Sequence, residues 1–201
     1  MSEIQQLIAL LPATSKWSYD AYYAFSEKLV EEGKTTGPDQ SPAMIEYSRL
    51  NLHRMKKWNK VGDLLPGCAN ELKNVKPQTW YVLSEPWCGD AAQSLPFISK
   101  MAGNSEGKIE LVILLRDENP SIMDRYLTNG GRSIPKLIAL SETGEELFTW
   151  GPRPEKAQEL VVTLKNDASV SADEMKERLH KWYAENKGKD VQQEILNLIV
   201  S

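Results

Sequence analysis

The stretch Ser84 to Pro96, SEPWCGDAAQSLP, holds the residue types most able to do chemistry in this chain. A cysteine thiolate is a nucleophile toward disulfides, and its sulfur can also be oxidised by peroxide. Cys88 sits between Trp87 and Gly89, at the start of a helical segment, and Ala91 follows two residues after the glycine. No second cysteine lies close by in sequence. The pattern therefore poses a choice between a redox nucleophile working without a neighbouring thiol and a residue retained in a scaffold that does something else.

The rest of the composition narrows the setting. Cys68 is the only other cysteine, so a disulfide framework is not expected and both thiols read as reduced at rest. His53 and His180 lie in charged helical surroundings without metal-ligand spacing, and read as residues without chemistry; neither a metal nor a cofactor is expected. With 24 Lys plus Arg against 28 Asp plus Glu, the net charge of -4 gives no basic field for a phosphate backbone, which excludes nucleic acid as the expected partner. No apolar run approaches the roughly 20 residues of a membrane span, and MSEIQQLIALL lacks the pattern of a signal peptide. A cytoplasmic location is the expectation.

Three regions must position the site. Residues 1–75 read as a helical extension: Trp17, Tyr22, Phe25 and Leu29 predict a helix stopping near Gly33, and Ser41-Pro42 caps a second that carries Met44, Tyr47, Asn51, Met55 and Trp58 on one face. A third helical stretch runs through Leu72. Residues 76–165 alternate, with strands at Trp80 to Leu83, Ile109 to Leu115, Lys136 to Leu140 and Glu146 to Trp150. Helices are expected from Cys88, from Pro120 to Leu127 and from Pro154 to Lys165. The run IELVILL has the look of a strand covered on both faces. Residues 166–201 read as a C-terminal helical extension, opened by a capping box at Ser171 and Glu174, with apolar stripes through Met175, Leu179 and Trp182 and through Val191, Ile195, Leu198 and Ile199. These stripes bury against their own domain or, in the sharper reading, form a homodimer seam.

Four motifs in order carry a family resemblance. PWCGDA resembles the active-site WCGPC of thioredoxins, with Pro96 at the place of their helix-kinking proline; RDENP, Arg116 to Pro120, resembles their DxNP; GGRSIPK resembles GIRGIPT and places Pro135 at the family's cis-proline; TGEELFTWG resembles the terminal hairpin, ending on Gly151. The resemblance covers Lys76 to Lys165 and implies an α/β thioredoxin fold, a central mixed β-sheet flanked by helices, with N-terminal and C-terminal helical extensions. The helical extension, CGDAAQ and NGGRSIPKLI together resemble a bacterial group of thioredoxin-like proteins that lacks the second active-site cysteine. Fold transfers through such a likeness; function does not simply follow.

What the resemblance implies for the site is half of a dithiol machine. Cys88 matches the attacking cysteine, while Ala91 stands where the resolving thiol would be, so a local disulfide cannot form. The family's buried carboxylate falls on Val82, six residues before Cys88. Asp90 replaces the motif's proline, and its charge opposes the helix dipole, which places the expected pKa of Cys88 between that of a free cysteine and a strongly activated one. In the family, the residue before the cis-proline presents its backbone to an extended client, a role that falls here to Ile134 beside Pro135, with Trp87 and Gly89 at the rim. Arg132 is expected to meet an anion, pair with Asp90 or form an ordinary surface salt bridge.

Two functions follow as expectations. One is a monothiol redox or thiol-disulfide exchange protein, with Cys88 as catalytic nucleophile and an outside thiol, or Cys68, as resolver; its partners are proteins or low-molecular-weight thiols and disulfides. The alternative is a noncatalytic thioredoxin-fold module that binds a peptide or protein in the groove by Pro135. Cluster binding across a dimer is the poorer third.

Overall fold

The apolar runs at Trp80 to Leu83 and Lys136 to Leu140 become the two middle strands of a four-stranded mixed sheet. In the computed structural model, which describes residues 2–200, β1 (Gln78–Ser84) lies between β2 (Ile109–Leu115) and β3 (Lys136–Ser141), and β4 (Glu146–Trp150) lies outside β3. β1 and β2 are parallel, from Gln78 opposite Ile109 to Ser84 opposite Leu115. The β1–β3 and β3–β4 pairs are antiparallel, with a register shift at Ala139/Leu140. All of β3 except Ser141 is buried, because helices cover both faces of a central strand.

β2 departs from the reading of a strand covered throughout. It is an edge strand, with Glu110 exposed and Leu111 and Val112 half-buried. Its open side is closed midway by Trp17, whose N–H donates to the Ile113 carbonyl at 3.0 Å and whose carbonyl accepts from the Ile113 N–H at 2.7 Å. A two-bond bridge of this kind blunts an otherwise free row of backbone groups.

The helices around the sheet are α1 (Glu3–Ala9), α2 (Tyr19–Glu31), α3 (Pro42–Val61), α4 (Cys68–Lys73), α5 (Gly89–Gly103), α6 (Pro120–Met123), α7 (Glu155–Lys165), α8 (Ala172–Asn186) and α9 (Lys189–Val200). Serine hydroxyls cap α1, α2, α3 and α8, each accepting an N–H three residues on. α6 is shorter than its apolar pattern suggests. It stops at Met123, where Arg125 and Tyr126 bond three residues back in place of four, and the chain then reverses at Asn129 and Gly130, whose left-handed backbone folds Thr128 onto Gly131. Leu127 is left 42 % exposed.

Two apolar clusters hold these layers. The larger joins the sheet and α5 to the extensions through Ile4, Ile8, Tyr22, Met55, Trp58, Leu72, Val191 and Ile195. The smaller contains only Ala157 and Val161 of α7 with Leu179 and Tyr183 of α8, flanked by Met175 and Trp182. The stripes of the C-terminal extension thus bury within the chain itself. Among the described residues no helix is long and apolar enough to cross a membrane.

Candidate functional site

Where β1 ends, the loop Glu85-Pro86-Trp87 carries the chain to α5, and Cys88 becomes the N-cap of that helix with extended backbone. Its sulfur accepts the Ala91 N–H at 3.4 Å, and its S–H donates to the Ile134 carbonyl at 3.2 Å. The Ile134–Pro135 peptide is cis. The loop is pinned from both sides: Asn51 of α3 donates to the Pro86 carbonyl at 3.0 Å, and the Arg116 guanidinium lies 4.6 Å from the centre of the Trp87 ring. Buried Glu85 accepts the Asp117 N–H at 2.8 Å and the Thr36 hydroxyl, and burial raises its pKa. Val82 is fully buried in β1, an apolar residue with no proton to move.

Trp87, Cys88, Gly89, Asp90, Ile134 and Pro135 therefore lie along one end of the sheet, but Arg132 does not join Asp90. Its Nε and Nη2 fork onto Asp124 at 2.6 and 2.7 Å, an ordinary solvent-screened surface pair. The partner of Asp90 is Arg153, which follows β4 and donates from Nε at 3.1 Å and from Nη2 at 2.5 Å to one carboxylate oxygen. The other oxygen accepts the Tyr183 hydroxyl of α8 at 2.7 Å. Burial works against the charge on Arg153, yet the carboxylate beside it holds its pKa above the usual value.

This environment also corrects the expectation for Cys88. Only 8 % of the residue is exposed. Burial, followed by repulsion from Asp90, pushes its pKa up to about 12, against the opposing pull of the Ala91 and Asp90 N–H groups and the Arg153 charge. The helix terminus is present as read from the sequence, but desolvation outweighs it. Cys68, on α4, is also buried, and both cysteines are free thiols.

His180, read from the sequence as inert, sits against the site. The Trp58 indole N–H donates to Gln93 Oε1 at 2.6 Å, which turns the Gln93 amide nitrogen toward His180 Nδ1 at 3.1 Å. Nδ1 is then the acceptor and Nε2 carries the proton of a neutral ring. Burial, helped by the nearby Arg54 charge, lowers the His180 pKa to about 4. The ring lies on Gly89: a Cβ there would come within 2.9 Å of His180 Cε1. Gly89→Ala is accordingly expected to cost about 1–3 kcal/mol through overpacking, read as a lower urea midpoint. Arg153, Tyr183 and His180 escaped the sequence reading because no local spacing ties positions 153–183 to position 90.

The parallel β1–β2 pair, the antiparallel β3–β4 pair, and a cysteine capping the helix after β1 opposite the residue before Pro135 define a protein of thioredoxin fold. A family model described as Thioredoxin matches residues 37–176, and the chain belongs to that family. It is 42 % identical over 53 residues to Thioredoxin 1 of Nostoc sp., covering 26 % of this chain and 47 % of that one, and 40 % identical over 53 residues to a thioredoxin of Synechocystis sp., with the same coverage. The chain thus spans about half the length of these relatives. Among solved structures, a protein of unknown function from Pseudomonas aeruginosa superposes with a TM-score of 0.56 at 16 % identity, over 91 % of this chain and 97 % of the other. An HIV epitope-scaffold gives 0.53 at 16 % identity, over 86 % and 96 %. At that identity the likeness is one of fold.

Proposed function

We propose that the protein is a monothiol thiol-disulfide exchange protein of the single-cysteine bacterial type, with Cys88 as its nucleophile and an outside thiol as its resolver. The observation that carries this reading is the seat of the sulfur, within hydrogen-bond reach of both the α5 N-terminus and the backbone of Ile134. In the reaction the Cys88 thiolate attacks one sulfur of a disulfide, the S–S bond breaks, and the other half leaves as a thiolate. Ala91 offers no second thiol, so the mixed disulfide waits for an external one. Ile134, Pro135 and Trp87 form the surface that meets the client. The closed arrangement stores the sulfur protonated, and exchange proceeds when it is uncovered.

A second reading, a noncatalytic module that binds a peptide beside Pro135, is favoured by the same burial that pushes the thiol up to about 12. The two part on one experiment. Cys68→Ser protein is incubated at pH 8.5 with excess 2-hydroxyethyl disulfide, followed by intact mass, and then given 2-mercaptoethanol. Exchange predicts one adduct on Cys88 that added thiol releases, and none in the Cys68→Ser/Cys88→Ser protein. A folded protein that stays unmodified for hours, while the urea-unfolded chain reacts at once, rules out exchange and leaves the binding module.

A further inference from the structure

A cleft of about 290 Å³ opens between α3, α7 and α8, with Trp87, Gly89 and Asp90 on its wall. Its charged lining consists of Arg54, Arg153, Lys165 and Lys176 against one carboxylate, Asp90. Two of the cations are already engaged. Arg153 is held by Asp90, and Lys176 donates to the Tyr47 hydroxyl at 2.7 Å and to Asp173 at 3.2 Å. The other two have no carboxylate within 4.0 Å among the described residues: half-buried Arg54 donates to the neutral Asn51 Oδ1 at 2.6 Å, and Lys165 is exposed.

Arg54 feels the Asp90 charge but has no carboxylate in contact, so its half-buried guanidinium is incompletely compensated, and its planar fork suits a carboxylate. Burial lowers the Arg54 pKa, and the nearby Asp90 charge opposes that shift. Arg54 also lies beside Gly89 on the cleft wall, its Nη1 3.7 Å from the point a Gly89 Cβ would occupy. Cys88 is the next residue, about 3.8 Å of chain away. His180 adds a neutral Nε2–H to the lining, and Val161, Met175 and Leu179 add an apolar side.

We infer that this cleft receives the carboxylate of a small anionic disulfide or thiol that exchanges with Cys88; the inference rests on the exchange reading above. The Cys88 proton goes to solvent, and the thiolate attacks R–S–S–R, where R bears the carboxylate. Cys88–S–S–R forms and R–S⁻ leaves, taking up a proton. A second thiolate then attacks the mixed disulfide at the R sulfur, and Cys88 departs as the thiolate. Electrons and sulfurs balance without a further oxidant. Arg54 and Lys165 hold the carboxylate, and the selection is for charge.

The test uses Cys68→Ser protein and three disulfides of similar size: dithiodiglycolate, 2-hydroxyethyl disulfide and cystamine, which are anionic, neutral and cationic. Each rate of adduct formation is divided by that of the same disulfide with free 2-mercaptoethanol, which removes intrinsic reactivity. The normalised rate for dithiodiglycolate is expected to exceed the neutral one on the order of tenfold at low salt, and to fall as salt is added. Arg54→Gln and Lys165→Gln should each erode that preference; Lys165 is exposed, so its replacement leaves the fold in place. Equal normalised rates, or a preference that survives in both variants, overturn the inference and leave exchange standing. Failure of all three reagents to modify the folded protein removes the exchange reading and this inference together.

Discussion

In Asp90→Asn protein, the Cys88 thiol is expected to titrate below its position in the parent, while the protein loses about 3 kcal/mol of stability. The two effects share one origin. Asp90 is nine-tenths buried, and its carboxylate is the anion that both neutralises Arg153 and repels the Cys88 sulfur. With a neutral amide in its place, the repulsion goes and the Arg153 charge acts on the sulfur undiminished, so both changes lower the thiol pKa. Each pKa unit raises the thiolate fraction about tenfold below the titration midpoint. Arg153 meanwhile keeps a largely buried charge without a counter-ion, which is the costly half of a broken pair. Alkylation rate against pH and urea unfolding, both in Cys68→Ser protein, read the two consequences. A variant of unchanged thiol titration would remove Asp90 from the electrostatics of the site.

The second large effect is an acid loss of stability that runs through His180. Its folded pKa is about 4, against an ordinary value near 6.5, because burial first and the Arg54 charge second disfavour the imidazolium. A lowered histidine pKa means that the unfolded chain binds the proton more readily. The stabilisation is therefore full above about pH 6.5 and is lost as pH falls through about 4. The difference in the two pKa values corresponds to about 3 kcal/mol. Carboxylates also weaken the fold in acid, so the comparison is with His180→Gln, in which an amide oxygen accepts from Gln93 without titrating. Unfolding free energy between pH 7 and pH 4 should fall by several kcal/mol less in that variant. An identical fall in both proteins would mean that His180 is not held neutral by its surroundings.

Both effects centre on partners that sequence alone did not supply, and the reason is physical. Periodicity and caps are local. The run Ile109–Leu115 became β2 and Ser41-Pro42 became the start of α3, because each signal lies within a few residues of the structure it specifies. The position of Cys88 at a helix start was legible for the same cause. Its pKa was not, because the burial comes from the packed core and from Ile134, forty-six residues on, and because the balance of dipole, Asp90 and desolvation depends on how much water remains. Arg132 and Arg153 are equivalent as sequence, and only the fold tells that Arg153 follows β4 onto Asp90 while Arg132 turns to Asp124. His180 carried no signal, since a histidine in a charged amphipathic helix looks the same whether it faces solvent or Gly89.

α8 belongs to the small apolar cluster it forms with α7, outside the core that contains the sheet. Its further ties are polar: Tyr183 to Asp90, His180 to Gln93 and Lys176 to Tyr47. A helix fastened in this way can leave as a unit while the sheet and α5 stay intact, since local opening draws on the free energy of the segment released and not on that of the whole domain. The cleft that α8 walls then lasts only as long as that helix stays docked. A substitution deep in the sheet lowers the global stability without altering how often α8 leaves, while a change in the α7–α8 seam alters that frequency and leaves the melting temperature of the sheet almost untouched.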